Sequence, residues 1–472
     1  MILVLPALLA LLGCTPHGIG PALDDSGSQV VGPVRYEQTT ATVTRVSWTV
    51  PAGATGWVDF GLDGALDQRV PAQGAVDGEL SLYVLGMKAG RSYALRPAWT
   101  DAEGMEHQEE EVRRDTPLAP RDLPALQVDT PLPELAAAEG YVLLSIMQAD
   151  HAFVAILDRD ADYVWWADLG SGLTDPTIRM AANGQDVLVG VYDVQQAKDI
   201  GVVERIALRT GEVTTTRTPL GHHDFLELPD GQIAFLRYDT RDRLLGGVVQ
   251  PVTGDDIATV AEGAAEGAPL GSIFDLQDDW VAPEVVCSHV ELLVLGTGGK
   301  DWSHGNSLAY VPELDAVVMV ARHLDTAIYI DRSTGTPLFW LSPYKDGLGG
   351  APFPAFDHGH MSDAWQDGIL IFDNGDHRPD RHSRVVEYAL DADNHSYRQT
   401  FEYWEPEGRF NEILGDARRM PNSNKLISWS ALGRLTEVTP DGRQAWTVQS
   451  DVGSIFGRVR WLDDLQSPSD PR

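Results

Sequence analysis

The chain has 472 residues, 35 Lys and Arg against 70 Asp and Glu for a formal net charge of −35, and 43% hydrophobic residues. That apolar share supports a sizeable core and excludes a disordered chain, and the length suits two domains or one large all-β domain with an appendage. The acidic excess excludes nucleic acid and an electrostatic hold on anionic lipid, since both need basic patches. An anionic substrate would need a locally positive, enclosed pocket.

In chain order, Met1 to Leu12 form an apolar run too short to span a bilayer. Leu11-Leu12-Gly13-Cys14 resembles a bacterial lipobox, which makes residues 1–14 a lipoprotein signal with acylation at Cys14. Two acyl chains anchor stably where one does not, so the expected location is outside the cytoplasm, on a membrane facing the periplasm or cell surface. With Cys14 acylated, Cys287 is left unpaired and there is no disulfide framework. Residues 15–28 read as a polar tether.

Residues 29–118 alternate in short runs such as GWVDFGL and LSLYVLGM, rich in β-branched and aromatic residues and separated by Gly, Asp and Pro. They predict a fibronectin/immunoglobulin-like β-sandwich, with Tyr93 as a candidate corner tyrosine. Residues 119–133 are a Pro-rich linker. From 134 to 472 strand follows strand, with Asn183-Gly184, Asp230-Gly231 and Asp367-Gly368 turns each preceding an apolar run. A repeat of about 45–60 residues over about 340 residues predicts a six-bladed β-propeller. Whether residues 240–300 form a lid or a divergent blade stays open at this level.

Several of the 13 histidines recur at one phase of this repeat. His222-His223-Asp224, Asp301-Trp302-Ser303-His304-Gly305-Asn306 and Asp357-His358-Gly359-His360 each sit just upstream of the strand that opens a repeat. Innermost propeller strands line one channel, so residues at one phase are expected to converge in space. His358 and His360 share a face of an extended segment, and either imidazole is open as a nucleophile on spacing alone.

The segments DWSHGNS with Arg322 downstream, and His360 followed by ILIFDNGD and SRVVEYALD, resemble the bacterial arylsulfate sulfotransferase family. The resemblance implies a propeller preceded by a small sandwich, export, and transfer of a sulfuryl group from an aryl sulfate to a phenol through a sulfated histidine. It implies no nucleotide sulfate donor, no other cofactor and no metal. On that pattern His360 matches the nucleophile, His304 and His223 are further catalytic histidines, and Arg322, Asn306, His222 and His358 are substrate-binding. The residue types suit the chemistry. Arg322 and Asn306 donate N–H groups to anionic oxygens, and a neutral imidazole is a competent nucleophile that splits one difficult transfer into two.

Two other readings belong to different classes. His358, His360, His223, His304 and Asp224 could hold a divalent metal in a hydrolase. Alternatively, a surface-anchored propeller could bind an anion without turning it over.

Overall fold

The strand-forming runs read in sequence become strands because their alternation matches the pleat, or because they are apolar on both faces. Glu79–Val84 alternates half-buried and buried residues, whereas His151–Leu157 is buried almost throughout. The structure, a computed structural model, describes residues 32–466 apart from 73, 150, 172–175, 194–197, 246, 280–286, 288–296 and 452. Cys14, the signal segment and the tether lie outside the described residues.

The chain divides into two compact units. One comprises residues up to 37, with 45–84 and 93–114; the other comprises 38–44, 85–92 and everything from 115 onward. The first unit contains a three-stranded sheet of Arg35–Gln38, Thr44–Thr49 and Glu79–Val84, and a five-stranded sheet centred on Thr55–Leu62 and Ser92–Thr100. Val46, Trp48, Val58, Leu80 and Leu95 form its core with essentially no exposure, and Tyr93 is buried near Phe60.

The second unit is all-β and propeller-like. Among the described residues it has six sheets in chain order, each built on four antiparallel strands, with a short parallel strand added to the third and the fifth. The edge strands that open successive sheets are Thr177–Met180, Gly221–Glu227, Gly305–Val311, Gly359–Trp365 and Asp416–Arg419. The remaining edge strand, Ile455–Leu462, comes from the end of the chain and pairs antiparallel with Tyr141–Gln148, matching Val142 to Trp461. Leu126–Asp129, in the Pro-rich stretch, pairs with Gln444–Ser450 on the far side of the last sheet. Segments from both ends of this unit thus complete sheets that other segments began, which leaves fewer open edges.

Apolar layers fill the gaps between neighbouring sheets. Leu236, Ile257, Leu308, Met319 and Ile328 share one layer, and Val318, Tyr329, Ile371 and Tyr388 share the next. Burying a side chain of this size contributes roughly 1.5–3 kcal/mol each. Edge strands also meet directly. The Ser307 and Ser362 hydroxyls lie 2.9 Å apart, Arg418 donates to the Ser362 carbonyl at 2.7 Å, and Val459 N–H donates to Asp416 at 3.0 Å. These contacts gather the edge strands around one axis. In the 240–300 segment, Gln232–Leu245 and Val248–Ala261 are one long hairpin of the third sheet. Its tip leaves Val248 and Val249 exposed.

Candidate active site

The edge strands carry their polar residues inward where sheets converge. His222 and His223 lie on Gly221–Glu227, Asn306 on Gly305–Val311 and His360 on Gly359–Trp365. His304 and His358 immediately precede their strands, and Arg322 opens the short turn Arg322–Leu324. His304 is half-buried, while the other predicted residues are buried.

Local backbone geometry aims the imidazoles. His223, His304 and His358 have φ of 52°, 48° and 54°, the left-handed region. A non-glycine residue there costs about 1–3 kcal/mol and recurs at functional sites. His304 and His358 are each followed by a glycine that opens the edge strand, so His-Gly-Asn and His-Gly-His occupy matching places in successive sheets.

The result is a continuous arc of rings. His222 lies 5.1 Å from His223, and His223 lies 4.7 Å from His304. His304 stacks 4.7 Å from His323, which lies 5.5 Å from His358, which lies 4.3 Å from His377. Carboxylates orient the members of the arc. Asp301 takes the Nδ1 side of His304, leaving Nε2 of that ring free of it. His222 sits with Nε2 3.0 Å from Asp255 and Nδ1 2.8 Å from Nδ1 of His223. With Nε2–H facing Asp255, His222 accepts from His223, and the His223 lone pair is on Nε2. Tyr238 stacks on His222 at 3.8 Å and fixes its plane.

His360 is the ring held least by polar partners. Its Nδ1 has no hydrogen-bond partner, while a backbone hydrogen bond ties the side chain to Gly415. Burial holds His360 well below the ordinary imidazole value, and Arg458, Arg322 and His304 add to the effect. His223 is likewise held low by burial, then by His304, His222, His360 and Arg458. These mutual influences place His223, His304, His360, Arg322 and Arg458 within one electrostatic neighbourhood, where the two imidazoles that burial and these cations hold low are neutral at ordinary pH.

The cations are fixed by acids around the rim. Arg322 pairs with Asp376 and donates to the Glu412 carbonyl at 3.3 Å. Asp376 also accepts from Nδ1 of His358 at 2.6 Å. Asp224 is held by Arg179 at 3.0 Å and Arg458 at 2.8 Å, and accepts the Leu308 and Phe225 N–H groups. Its carboxylate is fully engaged, so the donor set of a metal hydrolase using Asp224 is not assembled.

Residues not anticipated from sequence are Arg458, His323, Asp301 in its role beside His304, Asp376 and the Cys287–His377 contact. For Arg458 the only signal was the Arg-Val-Arg alternation of the last strand. His323 adjoins Arg322, and its Nδ1 meets the Asp301 carbonyl at 3.0 Å. Three groups here can offer three close metal-ligating atoms among the described residues: Cys287, His358 and His377; Asp301, His304 and His323; and Asp325, Asp357 and His358.

Comparison with curated proteins finds no match. Among solved structures, an auxiliary nutrient binding protein from Bacteroides ovatus is similar at 10% identity and TM-score 0.37, covering 92% of this chain and 96% of that one. The periplasmic gluconolactonase PpgL of Pseudomonas aeruginosa is similar at 12% identity and TM-score 0.36, covering 87% of this chain and 99% of that one. The model of the arylsulfotransferase (ASST) family matches residues 133–451, which span five of the six edge strands and every histidine of the arc. The chain belongs to the arylsulfotransferase family.

Proposed function

We propose that this protein is a lipid-anchored arylsulfotransferase whose nucleophile is His360, acting by ping-pong exchange at the centre of a six-bladed propeller. The observation that carries the assignment is a buried, neutral imidazole with an unpartnered Nδ1, flanked by Arg322 and Arg458.

With Nε2–H directed to the Gly415 backbone, the His360 lone pair lies on Nδ1. It attacks sulfur, the aryl oxygen–sulfur bond breaks, and the phenolate takes a proton from His304, while His223, held neutral, offers only its Nε2 lone pair. In the second half, an acceptor phenol attacks the sulfated imidazole, the nitrogen–sulfur bond breaks, and the phenolic proton returns to His304. Arg322 and Arg458 neutralise charge that spreads over the sulfuryl oxygens in a loose transition state. Arg458 is suited to this role because Nε and Nη1 are buried without a protein partner. Asn306 spends Nδ2 on the Gly359 carbonyl at 3.3 Å, and its unpartnered Oδ1 can accept only from a hydroxyl such as the acceptor phenol. His358 is the less suitable nucleophile, since its nitrogens face Asp376 and Cys287. His222 serves by orienting His223. A cationic, buried centre admits an anion into an acidic protein.

The first unit, with its two sheets and buried Tyr93, fits the fibronectin/immunoglobulin-like sandwich. Acylation at Cys14 would hold the enzyme on a membrane facing the periplasm or cell surface. Incorporation of labelled fatty acid that is lost in Cys14→Ser tests this anchor, and unchanged labelling refutes it.

For the reaction, an aryl sulfate and a phenol acceptor are supplied and phenol release is followed. Parallel double-reciprocal plots at several acceptor concentrations are expected. Binding of the aryl sulfate without turnover would establish the binding-protein reading instead.

A further inference from the structure

We propose that Cys287, His358 and His377 form a binding site for a divalent metal ion of the zinc class, built against the outer end of the imidazole arc. Sγ of Cys287 lies 3.1 Å from Nε2 of His358 and 3.4 Å from Nε2 of His377. All three ligand atoms lie within 4.8 Å of one another. Tetrahedral zinc, with Zn–S about 2.3 Å and Zn–N about 2.0–2.1 Å, separates sulfur from nitrogen by about 3.5 Å. The ion fits with adjustments of a few tenths of an ångström.

The surroundings of the two rings supply an independent argument. His358 turns Nδ1 to Asp376 at 2.6 Å, and His377 turns Nδ1 to Asp357 at 3.1 Å. Each imidazole therefore directs Nδ1–H to a carboxylate and turns its Nε2 towards the sulfur. That arrangement fixes tautomer and orientation in metal-ligating histidines. It recurs here on both rings, aimed at one point. Cys287 and His358 are buried, whereas the His377 side chain is 37% exposed and opens a path from solvent.

A thiolate with two imidazoles selects zinc-like ions over magnesium or calcium, which prefer oxygen. Binding forms one metal–sulfur and two metal–nitrogen bonds. Cys287 and His377, whose imidazole is raised to about 10 by Asp357 and Cys287, each give up a proton to solvent, and a water completes the fourth position. Asp376 is shared between His358 and Arg322, so occupancy of the site also steadies the guanidinium beside His360. The site itself does not rest on the sulfuryl-transfer reading.

The test uses the full chain carrying Cys14→Ser, so that Cys287 is the single thiol, stripped by chelator under reducing conditions and titrated with cobalt(II) alone. Saturation at one equivalent is expected, with a thiolate-to-cobalt charge-transfer band and the strong visible bands of tetrahedral cobalt. Zinc(II) should bleach both and raise the thermal midpoint. Cys287→Ala should remove the charge-transfer band, and His377→Ala should weaken cobalt binding at least tenfold. A reduced wild-type thiol that gives no charge-transfer band, or a band that persists in Cys287→Ala, overturns the site. Because the readout is spectroscopic, failure here leaves aryl sulfate turnover standing, and loss of turnover leaves the metal site standing.

Discussion

Arg458, on the last strand of the chain, meets Asp224 at 2.8 Å, and neither side chain has any exposed surface. The pair joins the strand that closes the first sheet to the edge strand of the third, across the axis where the imidazoles gather. A buried charge pair of this kind adds little over an apolar pair, but breaking it leaves a charge without compensation.

Arg458→Met is therefore expected to destabilise the protein by about 1.5–3 kcal/mol, because Asp224 loses one of its two cations while keeping Arg179 and the Leu308 and Phe225 N–H groups. Urea denaturation followed by tryptophan fluorescence measures the loss. A change below about 1 kcal/mol, typical of exposed pairs, would show that the pair is solvated.

Arg322→Ala removes a planar set of donors aimed at charge that develops in the transition state. The expected fall in kcat/KM is about 10²–10³-fold, and Arg322→Lys should recover little, since a point charge does not replace the fork. A fall under threefold would take Arg322 out of the reaction.

Burial first holds both His360 and His223 well below the ordinary imidazole value, with Arg458 and Arg322 adding to it at His360 and His304 and His222 adding to it at His223. The unfolded chain takes up protons near pH 6.5 that the native rings refuse. The native state is thus penalised as pH falls below about 6.5, and the lost stability is regained above it. His360 itself stays neutral, so the pre-steady-state burst of phenol is expected to keep its rate constant somewhat below pH 6.5. Half-loss of the burst rate at pH 6.5 would mean a solvent-like imidazole.

Phe456 lies fully buried in the layer that also holds Val142, Ile146 and Trp446, where the C-terminal strand closes the first sheet. Phe456→Ala is expected to cost about 3–5 kcal/mol. Val249→Ala, at the exposed hairpin tip, should change stability by less than about 0.5 kcal/mol. Equal thermal midpoints for the two variants would show that the closing strand does not hold the unit together.

Several hairpins were legible because Asn-Gly or Asp-Gly marks them, at 183–184, 230–231, 367–368 and 441–442, and the strands because of their apolar runs. Repeat phase predicted that histidines of different sheets would meet, and His223 and His304 lie 4.7 Å apart. Pairing of Ile455–Leu462 with Tyr141–Gln148 was not legible, since register across some 300 residues leaves no local mark. Arg458 was hidden with it. Cys287 has no motif, and only folding brings it to His358 and His377, which follow it by more than 70 residues. His358 reads as a twin of His360 in sequence, yet its partners Asp376 and Cys287 give it another task.

The most direct measurement of the central claim is rapid quench of the enzyme with a radiosulfur-labelled aryl sulfate in the absence of acceptor, followed by peptide mapping. The expected result is one stable label per chain, on the peptide bearing His360, discharged by added phenol and missing in His360→Asn. Label on His358, or full turnover in His360→Asn with no labelled protein, would contradict the account.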